Sequence, residues 1–225
     1  MIYKLSNAAD LDRIEEEFGL RFRYPKLYTP NPLINGTEET NLSVVTMQDK
    51  NEITFAIWGL MPQEFREDWD IFQKHANTLN VQLQDLENVE WMKTSFNQRR
   101  CLIIVSGFYT HLLQNGTTKS YYLSRSDEKP FYLAGVYNVL EDGFQCSALI
   151  TSKTNTFVSS YHDISNLAPI IIPKDKAKDW LSEETNMEDI KRMVEDPMEV
   201  KLKAKPRSHA FFHNVLSKAH MGTQI

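Results

Sequence analysis

The hydrophobic pattern is organised around residues 99–111, RRCLIIVSGFYTH. Cys101-Leu102-Ile103-Ile104-Val105 is apolar without alternation, entered through two arginines and broken at Ser106-Gly107. Such a run predicts a strand buried on both faces. Phe108, Tyr109, Thr110 and His111 then emerge together at the rim of the core, where a rigid strand can hold a site. Further strands are expected over 1–5, 42–47, 53–58, 120–123, 131–137, 144–150 and 168–172, the last stopped by Pro173. Residues 198–203 alternate apolar and basic and predict an edge strand. Asn115-Gly116 and Asp142-Gly143 are hairpin signals, because both dipeptides accept the positive φ of a tight turn.

Helical spacing is scattered among these strands. Leu11, Ile14 and Phe18 share a face, with Ser6 or Asn7 as N-cap and Gly19 as terminator. Trp69, Phe72 and His75 predict a second helix, and residues 84–92, 154–161, 174–181 and 187–194 predict others. The helix at 154–161, capped by Thr154, delivers His162-Asp163 just beyond its end. Pro25, Pro30 and Pro32 make residues 24–36 read as an extended loop, since proline removes a backbone donor. No repeat, low-complexity tract or linker divides the chain. The expectation is a single α+β domain over residues 1–225, a mostly antiparallel sheet or barrel with peripheral helices.

Composition narrows the function classes. The chain has 225 residues, 41% hydrophobic and 24% charged, with a net charge of −5, ordinary values for a soluble globular protein. A net negative charge gives no global case for nucleic-acid binding, although it constrains only the average field and leaves room for a local basic face. Cys101 and Cys146 both lie in apolar runs and read as buried free thiols. The N-terminus has no apolar signal core and no stretch reaches membrane-spanning length, so a cytoplasmic setting without membrane association is expected.

Candidate chemistry is sparse. His209 and His213, four apart in HAFFH, lack the glutamate and third ligand of a zinc helix, so no metal site is expected. His162-Asp163 between a short helix and a buried strand is the remaining polar candidate. There is no phosphate loop, dinucleotide fingerprint or nucleophile elbow.

Several short motifs, in order, resemble the SOS-response-associated peptidase (SRAP) family. Trp58-Gly59-Leu60-Met61-Pro62 is similar to its W-G-L-I-P, Thr78-Leu79-Asn80 to its T-L-N-A-R-x-E, and Ser95-Phe96 with Arg99-Arg100-Cys101-Leu102 to its S-F-…-R-R-C-L. Gly107-Phe108-Tyr109 resembles the D-G-F-Y-E-W segment, residues 131–136 the F-A-F-A-G-L strand, and His162-Asp163 with Ala168-Pro169-Ile170-Ile171 the segment H-D-x-R-M-P-V-I-L. The matches span residues 1–181. The resemblance implies a compact, β-rich α+β fold with a positively charged groove for single-stranded DNA. It also implies a reaction. An N-terminal cysteine, freed by removal of the initiator methionine, captures the aldehyde of an abasic site as a thiazolidine, assisted by an asparagine, a glutamate and a histidine. Thiolate and amine supply the nucleophiles, carboxylate and imidazole move protons.

This sequence departs from the family at those positions. Ile2 stands in place of the cysteine and Thr110 in place of the glutamate, while Asn80 and His162 are retained. Ser106, His111, Gln82, Gln84 and Leu167 replace the family's aspartate, tryptophan, arginine, glutamate and second arginine. A bulky Ile2 also disfavours removal of Met1. The resemblance places DNA contacts at Lys4, Trp58, Arg99 and Arg100, implies no cofactor, and makes single-stranded DNA the expected partner of a monomer. The expectation is a DNA-associated protein of the DNA-damage response that does not form the cross-link. The alternative is a ligand- or protein-interaction module that keeps the fold and has left DNA behind. Whether the chain is an enzyme stays open.

Overall fold

The structure, a computed structural model, describes residues 2–212. The strands are β1 (Lys4–Asn7), β2 (Arg21–Phe22), β3 (Asn31–Asn35), β4 (Asn41–Thr46), β5 (Glu52–Trp58), β6 (Asn80–Val81), β7 (Arg100–Val105), β8 (Gly107–Gln114), β9 (Thr117–Arg125), β10 (Phe131–Val139), β11 (Gln145–Lys153), β12 (Leu167–Pro169), β13 (Ile171–Ile172) and β14 (Leu202–Arg207). The helices are α1 (Leu11–Phe18), α2 (Trp69–His75), α3 (Leu83–Asn88), α4 (Glu90–Gln98), α5 (Thr156–Ser159), α6 (Ala177–Leu181) and α7 (Met187–Glu195). The fold class is α+β, as expected, with mostly antiparallel pairing.

The larger sheet closes on itself. β4 pairs with β5 and β7, β7 with β10, and β10 with β11, all antiparallel; β11 then runs parallel to β5 and completes the ring. Closure leaves those strands no free edge. All six residues of β7 are buried, as the unalternating run predicts. Gly135 on β10 lies so close to this packing that a Cβ would come within 2.8 Å of the Ile103 side chain and 2.9 Å of the Cys101 sulfur.

One residue after β7, the chain changes sheets. Ser106 turns it out of the barrel, and Gly107 to Gln114 become β8 of a second, five-stranded sheet ordered β14-β9-β8-β1-β3. Asn115-Gly116 forms the β8–β9 hairpin with φ of 51° and 73°, the paired positive values that this dipeptide supplies cheaply.

The structure corrects some boundaries. Ser6 and Asn7 belong to β1, and Asp10 sits at the start of α1. The proline-punctuated segment 24–36 includes β3, in which Pro32 is tolerated because β3 is the last strand of its sheet. The region expected to hold one helix at 84–92 holds two, α3 and α4, and Asn155 rather than Thr154 caps α5. The final edge strand lies at Leu202–Arg207, four residues beyond its expected start. No helix among the described residues is long and apolar enough to cross a membrane.

Candidate functional site

Asn80 and His162, distant in sequence, hold backbone at residue 2 and at His111, beyond the same end of the β1–β8 pairing. β1 pairs with β8 at Leu5↔Phe108 and Ser6↔Gly107, a register that leads the chain back toward Thr110 and His111 as it approaches residue 2. There Asn80 holds the backbone of Ile2 at both ends: its Nδ2 donates to the Ile2 carbonyl at 2.7 Å, and the Ile2 amide donates to its Oδ1 at 3.3 Å. Asn80 is itself placed by β6, which lies beside β11. The Trp58 indole supports this position by donating to the Leu79 carbonyl at 3.0 Å.

His162 approaches from the other side. Its Nδ1 lies 3.2 Å from the His111 carbonyl, and its Nε2 lies 3.0 Å from Ser165 Oγ. The adjacent Asp163 accepts from the Leu113 amide at 2.7 Å, so residues 162–163 line the edge of β8 beyond the point where β1 has left it. Burial depresses the His162 pKa, opposed by its hydrogen bond to the His111 carbonyl. The His111 pKa is also lowered, first by burial and then by the nearby charge of Lys4. The two imidazoles do not bond to one another: the His111 ring bonds Ser120 Oγ at 2.9 Å.

The arrangement is closed. Ile2, Thr110, His162 and Asn80 are 1%, 0%, 3% and 7% exposed. Thr110 Oγ1 is buried without a hydrogen-bond partner, an uncommon and costly condition for a hydroxyl. Positions 2 and 110 carry an isoleucine and a threonine, side chains with neither a thiol nor a carboxyl group.

The four residues expected to touch DNA separate in space. Lys4 lies on β1 beside this cluster, with its Nζ 6.0 Å from the centre of the Phe212 ring. Trp58 is 0% exposed, so it props the Asn80 strand and offers no face to a base. Arg100, at the far end of β7 and roughly 20 Å of strand from β8, is 1% exposed. Its guanidinium donates to the carbonyls of Trp180 at 2.8 Å, Phe96 and Asn97 at 3.0 Å, and Ser182 at 2.7 Å. It thereby caps the C-terminus of α4 and ties it to the end of α6. Burial lowers its pKa to about 10, which leaves it charged at neutral pH. Its donors are engaged inside the protein, so a phosphate contact there does not follow. Neighbouring Arg99 is half-buried and bonds the Asn138 side chain. Of the HAFFH pair, His213 lies outside the described residues; among those described, no cluster of three or more metal-ligating side chains occurs.

Sequence reasoning passed over a different set. Antiparallel partners share a face, so Tyr109↔Tyr122↔Lys205 and His111↔Ser120↔Arg207 form two rows across the outer face of the second sheet, and Lys4 joins the first row one residue beyond the β1–β8 pairs. Gly107 permits this packing: a Cβ there would come within 2.4 Å of the Tyr122 ring. Only the strand register reveals these rows, although alternation of basic residues in KLKAKPR was a signal for one of them.

A family model described as SOS response associated peptidase (SRAP) matches residues 1–212. A segment of 117 residues is 31% identical to the abasic site processing protein YMR114C of Saccharomyces cerevisiae, covering 51% of this chain and 31% of that protein. The chain thus matches less than a third of its relative's length. A solved structure from Bacteroides thetaiotaomicron aligns with a TM-score of 0.83 at 18% identity, covering 94% of each chain. A protein from Bordetella bronchiseptica gives 0.73 at 14% identity, covering 92% of this chain and 99% of that one. A phage-related protein from the same organism gives 0.62 at 17%, covering 93% and 95%. At these identities the solved structures show likeness of fold.

Proposed function

The chain belongs to the SOS response associated peptidase (SRAP) family, and from that premise we propose that it binds single-stranded DNA, abasic-site DNA included, in a DNA-damage role without forming a thiazolidine. The observation that carries this reading is the Asn80 clamp on residue 2. A device that fixes the backbone of the second residue has a purpose in a protein whose second residue reacts. Here it fixes an isoleucine, next to Thr110 in place of an acid and His162 with both ring nitrogens engaged. The resemblance to an abasic site processing protein supplies the substrate class. On this reading the chain acts as one SRAP-like domain and a monomer, with Asn80 and His162 as retained positions, Ile2 and Thr110 as substituted ones, and Lys4 as a phosphate contact. Incubation with abasic single-stranded DNA followed by a denaturing gel tests it: the expected result is no shifted band, and a covalent band would overturn it.

A second reading has one observation in its favour. A cleft of about 600 Å³ between the Tyr24–Thr29 segment and the outer wall of β4 and β5 is bounded by Tyr24, Tyr28, Phe55 and Phe144. The side-chain oxygens of Asn7 and Gln145, which also line it, are buried without a partner. Aromatic walls, neutral amides and an Arg23 whose charge is met by Asp49 and Glu52 suit a small uncharged ligand, the interaction-module alternative. Saturation-transfer NMR with free nucleosides, compared with an oligonucleotide titration, separates the two: signal from the small ligand alone favours the second.

A further inference from the structure

Part of the outer face of the five-stranded sheet, at Tyr109 and His111, is covered by the chain's own residues 211–212. Tyr109 points outward with Lys4, Tyr122 and Lys205, away from the core side of β8 that carries Phe108 and Thr110, yet it is only 2% exposed. Phe211 and Phe212 lie over its ring, while its hydroxyl donates to the Pro32 carbonyl at 2.7 Å. The Phe211 ring centre lies 5.9 Å from that of Tyr109, and the Phe212 ring centre 5.3 Å from Tyr109 and 6.4 Å from His111. Two cations hold the rings in place: Lys4 Nζ is 6.0 Å from Phe212, and the Arg207 guanidinium is 5.0 Å from Phe211 and 5.3 Å from Tyr122.

Neither Lys4 nor Arg207 has a carboxylate at ion-pair distance among the described residues, whereas Lys203 and Lys205 share Glu128. Aromatic rings flanked by Lys4 and Arg207 supply what a sequence-tolerant single-strand platform requires: π-faces for bases and cations for phosphates. Strands in a sheet lie about 4.8 Å apart, so the row from Lys4 to Lys205 spans roughly 14 Å, enough for two or three nucleotides.

Resting on the DNA reading above, we infer that single-stranded DNA lies across this outer face from Lys4 to Arg207, and that Phe211 and Phe212 occupy the places of two bases until a strand displaces them. The segment is suited to leave, because Ser208 to Ala210 are exposed and both phenylalanines are half-exposed. A platform occupied by its own rings is competent only in the fraction of molecules whose rings have lifted, and affinity falls by that fraction.

The test uses the full chain and a fluorescein-labelled dT12 oligonucleotide titrated by anisotropy. F211S/F212S should bind about tenfold more tightly than the unaltered chain, and Phe212→Trp, which keeps the cover, should bind no more tightly. In parallel, the rate of His111 carbethoxylation, read by mass spectrometry without DNA, should rise in F211S/F212S. If the double substitution unfolds the chain, Phe212→Ser alone gives the same reading with a smaller gain. Unchanged affinity with unchanged His111 reactivity overturns the cover while leaving DNA binding intact. Greater His111 reactivity with no binding by either form overturns the DNA reading, and the role given to the cover with it. Weaker binding by F211S/F212S overturns the inference by making the two rings part of the contact.

Discussion

Tyr109 and Thr110 are neighbours on β8, and both are enclosed, at 2% and 0% exposure. Thr110 is enclosed by the core, in a spot where its hydroxyl finds no partner. Tyr109 is enclosed by Phe211 and Phe212 together with the Tyr122 ring and, at its hydroxyl, the Pro32 carbonyl. Strand alternation separates the two environments by a single residue. Asn80 holds the backbone of residue 2, and His162 lies against the edge of β8. On the outer side, cations and aromatic rings meet. On the reading proposed above, the difference separates the core side of β8 from the side that would carry DNA, so a change on one need not reach the other.

The largest expected effect breaks the inner framework. Arg100→Met removes four hydrogen bonds to backbone carbonyls. It should cost about 3–5 kcal/mol, read as a lower urea midpoint, with little change in DNA affinity relative to the folded fraction. A selective loss of DNA binding at unchanged stability would return Arg100 to the DNA surface and erase the distinction between the faces.

Next in size are the outer cations. Introduced into F211S/F212S, where no cover remains to be released, Lys4→Ala with Arg207→Ala should weaken binding to single-stranded DNA and reduce the slope of log K against log salt by about 1 for each residue, about 2 together. The melting temperature should change little, because both residues lie on the half-exposed face. An unchanged salt slope would sharpen the comparison against the outer face.

Thr110→Val has a smaller effect, of opposite sign. It replaces an unpaired buried hydroxyl by a methyl of similar shape and should raise stability by about 1 kcal/mol while leaving DNA binding unaltered. A loss of stability would mean that the hydroxyl has a partner after all.

The smallest effect is on pH dependence. Burial lowers the folded pKa of His162, so below the unfolded value near 6.5 the unfolded chain binds more protons and folding weakens. Stability should decline as pH falls from about 7 toward 5, and His162→Gln should flatten part of that decline. A melting temperature that rises on acidification would contradict the burial of a neutral imidazole.

Much of the framework was legible in the sequence because the patterns have direct physical causes. The unalternating 101–105 run became a fully buried strand, and Asn115-Gly116 became the β8–β9 turn. The anchoring of residue 2 by Asn80 and of His111 by His162 was not legible in periodicity, since the partners lie 78 and 51 positions apart. Arg99 and Arg100 look alike in sequence, but strand placement leaves one half-buried and gives the other five carbonyl and sulfur partners inside the protein. Trp58 misled for a related reason: an indole can stack on a base or brace a strand, and its donor bond to Leu79 marks it as a brace. The outer-face rows stayed hidden because they depend on the registers of β1, β8, β9 and β14 together.

The central claim is binding without chemistry, and one measurement addresses both halves. Anisotropy of a fluorescein-labelled single-stranded oligonucleotide containing one abasic site is followed as the chain is added, and the saturated sample is then brought to denaturing SDS. The account predicts a rise on addition and a return to the value of free DNA in SDS. An anisotropy that stays high in SDS would show a covalent adduct, and no rise at all would show that the fold has left DNA behind; either result contradicts the account.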